Sequence, residues 1–341
     1  MIRSIRNIAR LIHIGRVLAR HDALFPLERI GAVRDFAYLL KLTTRKGVPG
    51  RPGQRLAKAF VELGPSFIKL GQTLSTRPDI MGEEVAADMV SLQDRLEPFA
   101  EEQARRIIEE DLDHPFEQLY SSFDWKPVAA ASIAQVHFAV TTDGREVAVK
   151  ILRPEVKEAF GRDIDVMYWL AEIVERTQPG FRRLKPVESV RTFEDTVQME
   201  MDFRFEAAAA AELADNFLND PTFRVPAVDW QRTSQRVLTI ERVTGTPIGE
   251  KETLIRIGHD PRDIVAKAAN AFFNMVFRDG FFHGDMHPGN LFVGARGEIV
   301  AVDFGITGRV DQATRRYLGE MLMGFLTANY RRVAEVHFEA G

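Results

Sequence analysis

Apolar and polar residues alternate along two short runs of this 341-residue chain. Val136, Phe138 and Val140 form the first and Val147, Val149 and Ile151 the second, separated by the turn signal Thr141-Thr142-Asp143-Gly144. Period-two alternation on both sides of such a turn predicts a β-hairpin, within a stretch, 123–152, that reads as mostly strand. On either side the apolar period changes. Leu56, Phe60 and Leu63, then Phe67, Leu70 and Leu74, recur at helical spacing, so 56–120 reads as helical, with a charged helix over Glu101 to Leu112. Helical patterns follow at 154–177 and 187–217, two strands at 225–228 and 236–242, and helices again from 247 onward. Lys41 to Arg55 is rich in Gly, Pro and basic residues and reads as a linker.

The first twenty residues stand apart. Arg3, Arg6, Arg10, Arg16 and Arg20 interleave with Ile5, Ile8, Leu11 and Ile12, and no acid is present. A basic amphipathic helix of this kind either lies on an anionic membrane or docks on its own domain with its arginines in water. The arginines interrupt the apolar stretch that a secretory signal needs. Elsewhere no uncharged apolar run reaches the roughly 18 residues of a bilayer span. Basic and acidic residues are nearly balanced, 45 against 49, which argues against a nucleic-acid partner. With no cysteine, disulfides, thiolate metal sites and cysteine nucleophiles are excluded.

The chemistry concentrates in His283-Gly284-Asp285-Met286-His287-Pro288-Gly289-Asn290, followed by Asp303-Phe304-Gly305. This is H-x-D-x-x-x-x-N and D-F-G, the catalytic loop and metal segment of kinase-type phosphoryl transfer. One carboxylate, Asp285, orients the incoming hydroxyl, while Asn290 and Asp303 hold Mg²⁺ on nucleotide phosphates. Pro288 and Gly289 forbid a helix there, which also disfavours a His283/His287 metal pair at i,i+4. Upstream, Val147-Ala148-Val149-Lys150 matches the kinase V-A-I-K strand, whose lysine reaches the α- and β-phosphates of ATP.

Four further motifs make the chain resemble the UbiB/ADCK atypical kinase-like proteins associated with ubiquinone biosynthesis. They are Lys69-Leu70-Gly71-Gln72, similar to the family's K-x-G-Q signature, and Ala129-Ala130-Ala131-Ser132-Ile133-Ala134, similar to the alanine-rich loop that replaces the kinase glycine loop. Glu200-Met201-Asp202, with Glu206 following, looks like its E-x-D motif, and His283-Gly284-Asp285 like its form of the catalytic loop. The resemblance runs from about residue 25 to the end. It implies an α+β, protein-kinase-like two-lobed fold with an N-terminal helical extension. The corresponding division is 1–55 basic segment and linker, 56–120 K-x-G-Q helices, 121–243 smaller lobe and 244–341 larger lobe. Only 36 residues follow Gly305, so the larger lobe reads as shortened at its C-terminus.

The resemblance also assigns roles. Asp285, Lys150 and Lys69 are the expected catalytic residues, Lys69 and Gln72 sharing a helix face that packs over the cleft. Ala129 to Ala134, Lys150, Glu206 and the backbone of Glu241 and Val243 are the expected ATP contacts. Asn290 and Asp303 take Mg²⁺, and Gln72, Glu200 and Asp202 are regulatory. If Lys69 pairs with Glu200, Lys150 is left for Glu206; the partner of Lys69 among Glu200, Asp202 and Glu206 stays open, although only Asp202 and Glu206, at i,i+4, share a face. Alanine is costly at φ > 0, so the 129–134 loop is expected to stay right-handed or extended.

Gly284 stands where ordinary kinases carry arginine, and no A-P-E segment follows Gly305. Activation-loop phosphorylation and a peptide platform are therefore not expected. The implied function is an ATP- and Mg²⁺-dependent ATPase or atypical kinase supporting ubiquinone synthesis, acting on or regulated by a lipid or ubiquinone precursor. Other ubiquinone-biosynthesis proteins and an anionic membrane are the implied partners, at the cytoplasmic face of the inner membrane, whereas longer relatives carry C-terminal membrane segments. The alternative is a nucleotide-gated, non-enzymatic scaffold or lipid-presenting protein. A phosphotransferase like the aminoglycoside and choline kinases shares the loop logic but lacks Lys69-Leu70-Gly71-Gln72.

Overall fold

A computed structural model describes residues 2–28, 40, 47–90, 92 and 96–340. Residues 41–46 of the expected linker lie outside the described residues, as does the side chain of Arg3. Strands are numbered β1 (Tyr120–Phe123), β2 (Ala129–Ala130), β3 (Ala134–Thr141), β4 (Glu146–Leu152), β5 (Phe223–Arg224), β6 (Val237–Glu241), β7 (Thr246–Pro247), β8 (Phe281–His283), β9 (Leu291–Val293), β10 (Ile299–Ala301) and β11 (Thr307–Arg309). The chain groups into two compact units. One comprises 1–110, 124–137 and 150–201, and the other 111–123, 138–149 and 202–341. The chain passes from one to the other within β3 and β4.

The first unit is helical. Its N-terminal helix, Ile2–Arg20, buries Leu11, Ile14, Val17 and Leu18, and Val17 and Leu18 share a core with Leu56, Phe60, Met89 and Val166. The helix thus docks on its own unit. Its arginines, however, do not simply face water. Arg6 pairs with Asp165, Arg20 with Glu62, and Arg10 grips the buried carboxylate of Asp163 through two bonds of 2.6 and 3.0 Å. Arg16 is exposed.

The expected linker ends early, because a helix spans Pro52–Leu63. Pro52 suits a first helical position, where no N–H is needed, and Gln54 Oε1 accepts the Arg51 N–H at 3.0 Å. Gly64, at φ +104, separates this helix from Pro65–Ser75. The long helix Val156–Thr177 and the helix Pro186–Glu200 complete the unit. The pattern over 187–217 reads as one helix but is two. Asp202 takes extended backbone and caps Phe203–Asn216, accepting the Arg204 N–H at 3.2 Å. Aspartate caps helices well because its carboxylate satisfies an orphan N–H.

The second unit holds most of the strand structure. β1 pairs antiparallel with β3, and the hairpin turn before β4 places Gly144 at φ +86 as its sequence demands. The strand read at 225–228 instead lies at β5, parallel to β10, while Val228 makes only an isolated bridge to Ile240. Pro226 lacks the N–H a continued ladder requires. The core gathers Leu213, Phe223, Met275, Leu291, Ile299 and Phe304. Pro288 does not exclude every helix: it opens a single 3₁₀ turn, Pro288–Asn290, from the position proline tolerates.

Candidate functional site

In the first unit the K-x-G-Q segment lies on the helix Pro65–Ser75. Gly71 is buried, and a Cβ there would collide with Leu92 and come within 2.8 Å of Phe60. The glycine thus lets this helix pack closely against its neighbours. Lys69 points elsewhere: its Nζ lies 2.6 Å from Glu200 Oε1, with side-chain exposures of 17% and 7%. Glu200 sits at the end of Pro186–Glu200. Gln72 is partly buried one turn on, and its carbonyl accepts the Ser75 hydroxyl at 2.7 Å.

The alanine-rich loop belongs to the same unit. Ala129 and Ala130 form β2 against Val136 and Gln135, and Ala131 N–H donates to Ala134 O at 2.8 Å across a tight turn through Ser132 and Ile133. None of residues 129–134 has positive φ, as the cost of left-handed alanine requires. Lys150 is half-buried towards the end of β4.

The second unit assembles the catalytic-loop and D-F-G residues. In the β9–β10 hairpin Leu291 pairs with Ala301, and Val302 N–H donates to Asn290 O at 2.8 Å. Asn290 and Asp303 therefore leave the same end of one hairpin. β8 pairs with β11, His283 opposite Thr307, which ties the other ends of the two motifs together. Asn290 Nδ2 donates to Asp285 O at 3.1 Å and Oδ2 at 3.0 Å, fixing the carboxylate. Asp285 N–H in turn donates to His283 Nδ1 at 3.0 Å. Burial holds His283 below its ordinary imidazole range, against the opposing pull of Asp303, and because Nδ1 accepts the Asp285 N–H, the neutral ring carries its proton on Nε2.

Asp303 takes φ +64, an unusual value for a residue with a side chain, and its Oδ1 accepts the Gly305 N–H at 3.2 Å. Gly284 N–H donates to Ile306 O at 2.8 Å, and a Cβ at Gly284 would approach Ile306 Cγ2 to 2.9 Å. That close approach leaves little room for a side chain at position 284.

The expected partners of the acidic motif diverge. Asp202 is committed to Arg204, at 2.6 Å, and to its helix cap. Its place at the N-cap, with extended backbone, removes the helix face it was expected to share with Glu206. Glu206 is buried and accepts Phe304 N–H at 3.3 Å, so it supports the D-F-G backbone directly. At the expected hinge, Glu241 N–H donates to Ala227 O at 2.8 Å, so an adenine contact there falls to its carbonyl. The Glu241 side chain pairs with Arg224. Val243 is partly buried after β6.

Asn290 and Asp303 suit Mg²⁺, which prefers few protein oxygens and completes its shell with phosphate and water. With Nδ2 engaged, Asn290 has Oδ1 to offer a cation. Among the described residues no cluster of three or more His, Cys, Asp or Glu forms a protein-only metal cage. Sequence reading missed the Arg10–Asp163 clamp, the His283 anchor and the packing need for Gly71. Only the interleaved arginines of residues 1–20 hinted at the first.

An α+β scaffold carrying H-x-D-x-x-x-x-N, D-F-G and a strand-borne lysine defines a protein-kinase-like fold. More narrowly, the chain belongs to the ABC1 atypical kinase-like family, whose domain model matches residues 91–337, in accord with the UbiB/ADCK resemblance. It is 39% identical over 98% of its length to a probable protein kinase UbiB of Marinobacter nauticus, covering 62% of that protein. A probable protein kinase UbiB of Pseudomonas fluorescens is 38% identical over 98% of the chain, which covers 64% of it. The chain thus spans just under two thirds of these curated relatives. Among solved structures, the complex of Rv3197 with erythromycin from Mycobacterium tuberculosis is similar, with 27% identity and a TM-score of 0.61 over 91% of this chain and 76% of that one.

Proposed function

We propose that the chain binds ATP with Mg²⁺ and acts as an ATPase or atypical kinase in support of ubiquinone biosynthesis, directed to a lipid or small molecule rather than to proteins. The observation that carries this reading is the joint placement of Asn290 and Asp303 at one end of β9–β10, with Asp285 held by Asn290. In this reading Asn290 and Asp303 hold the metal, and Asp285 orients a water or hydroxyl. Lys150 and Lys69 meet phosphate charge, residues 129–134 cover the phosphates, and Glu241 O and Val243 N–H take adenine. Bound Mg²⁺ supplies charge neutralisation on the phosphates. A peripheral position on an anionic membrane and contacts with other ubiquinone-biosynthesis proteins belong to the same proposal. No helix of the described residues is long and apolar enough to cross a membrane.

A nucleotide-gated scaffold is the second reading. It is favoured by the Lys69–Glu200 pair, which commits that lysine to a carboxylate. ATP turnover by the purified chain, with and without liposomes carrying a ubiquinone-precursor mimic, separates the two. Stimulated turnover supports the enzyme, while nucleotide-dependent lipid binding without turnover supports the scaffold. Failure to bind Mg-ATP at all would overturn both.

A further inference from the structure

Arg153 lies three residues past Lys150, at the end of β4, in the same compact unit as the alanine-rich loop. Its backbone N–H donates to Ile133 O at 2.8 Å, and its Nε donates to Ala131 O at 2.9 Å. Its Nη1 donates to Glu97 O at 2.9 Å, and the guanidinium lies 5.8 Å from the Phe99 ring centroid. The backbone of Arg153 therefore holds Ile133, while its side chain ties Ala131, on the other side of the turn, to the 97–99 segment. The same two segments are joined again by Leu96 N–H to Ala130 O at 3.2 Å and Phe99 N–H to the buried Gln135 Oε1 at 3.1 Å.

The energetics suggest that this arginine is placed for geometry. Burial lowers its pKa, and among the described residues no carboxylate opposes that shift. A guanidinium held by carbonyls alone bears a desolvation cost that an ion pair would offset. What it gains is a planar fork with fixed donor directions, which lysine lacks. Its Nη2 is buried and has no hydrogen-bond partner among the described residues. A glycine-rich loop moves freely over phosphates; this one is tied to the 96–99 segment.

We propose that Arg153 is a positioning residue that rivets the 129–134 turn to the 96–99 segment and so holds the loop in the shape that meets the nucleotide phosphates. The inference rests on the nucleotide-binding reading above. Two measurements on the full chain keep the two separable: amide hydrogen exchange without nucleotide, and calorimetric titration with Mg-ATP and Mg-ADP. In Arg153→Ala, exchange of the Val128 and Ala131 amides should rise about tenfold, the loss of roughly one net hydrogen bond's worth of protection. Protection of the helix Val156–Thr177 should hold, and the affinity for Mg-ATP should fall at least about threefold, a modest share of that protection. Arg153→Lys keeps the charge without the fork and should reproduce both changes; it also decides the matter if the alanine variant fails to fold. Loop protection or a Mg-ATP affinity equal to wild type in the folded variant would overturn the inference. A wild-type chain that binds neither nucleotide sinks the functional reading instead, and exchange still shows whether Arg153 holds the turn.

Discussion

Lys69 Nζ meets Glu200 Oε1 at 2.6 Å, joining the K-x-G-Q helix to the end of the helix Pro186–Glu200. Both side chains are mostly shielded from water, so removing one takes a close opposite charge from the other. Lys69→Met or Glu200→Gln should each lower the unfolding free energy by about 1–3 kcal/mol. The double variant should cost less than the sum, with a coupling of at least about 0.5 kcal/mol. Urea unfolding of the four proteins measures this. Strict additivity would mean that the pair contributes nothing, and an unchanged Mg-ATP response in Lys69→Ala would remove Lys69 from the nucleotide chemistry.

Asp303→Asn should abolish Mg²⁺-dependent nucleotide binding while the fold survives. Asparagine tolerates the left-handed backbone seen at φ +64 and its amide oxygen can still accept the Gly305 N–H, but it brings no negative charge to a hard cation. Asp303→Ala loses the charge and adds backbone strain of roughly 1–2 kcal/mol. Thermal shift with Mg-ATP and with ATP plus chelator reads both effects. A wild-type Mg-ATP shift in the asparagine variant would remove Asp303 from the metal site.

Much of this architecture is legible in the sequence where the signal is local. The β3–β4 hairpin follows from alternation around Thr141–Gly144, and the catalytic loop from residues thirteen or fewer positions apart. The break at Asp202 escapes because the alanine run and flanking charges continue a helical period, and a cap is a single residue's conformation. The need for Gly71 depends on Phe60 and Leu92, which only packing brings near. Arg10 and Asp163 are 153 positions apart, and no local pattern links them.

Acid should weaken the catalytic loop before it unfolds the rest. His283 is held below its unfolded value of 6.5 by burial. The unfolded chain therefore takes up the proton first, so the stability supplied by neutral His283 is complete above 6.5 and is lost as pH falls through the window beneath it. Protonation at Nδ1 also removes the acceptor for Asp285 N–H. Urea midpoints recorded between about pH 7.5 and 5 should fall more steeply for wild type than for His283→Asn, which cannot titrate. Parallel curves would show that His283 is not the titrating group.

The N-terminal helix makes the membrane question answerable only by point substitutions. Deleting residues 1–20 strips Leu11, Ile14, Val17 and Leu18 from the core and leaves Asp163 buried without Arg10. At about 1.5–3 kcal/mol for each large buried side chain, the deletion should destabilise the first unit outright, whatever lipid does. Arg10→Ala alone should cost about 3–5 kcal/mol by isolating a buried carboxylate, and Asp163→Asn in the same chain should restore part of it. Arg16 is different, since it is exposed and its replacement leaves the packing untouched. Each arginine near an anionic surface is worth about 1 kcal/mol, so Arg16→Glu should weaken co-sedimentation with anionic vesicles several-fold while melting like wild type. Added salt should reduce the wild-type binding in the same direction. Equal vesicle binding by both proteins, indifferent to salt, would leave this helix as packing alone and place any membrane contact elsewhere on the chain.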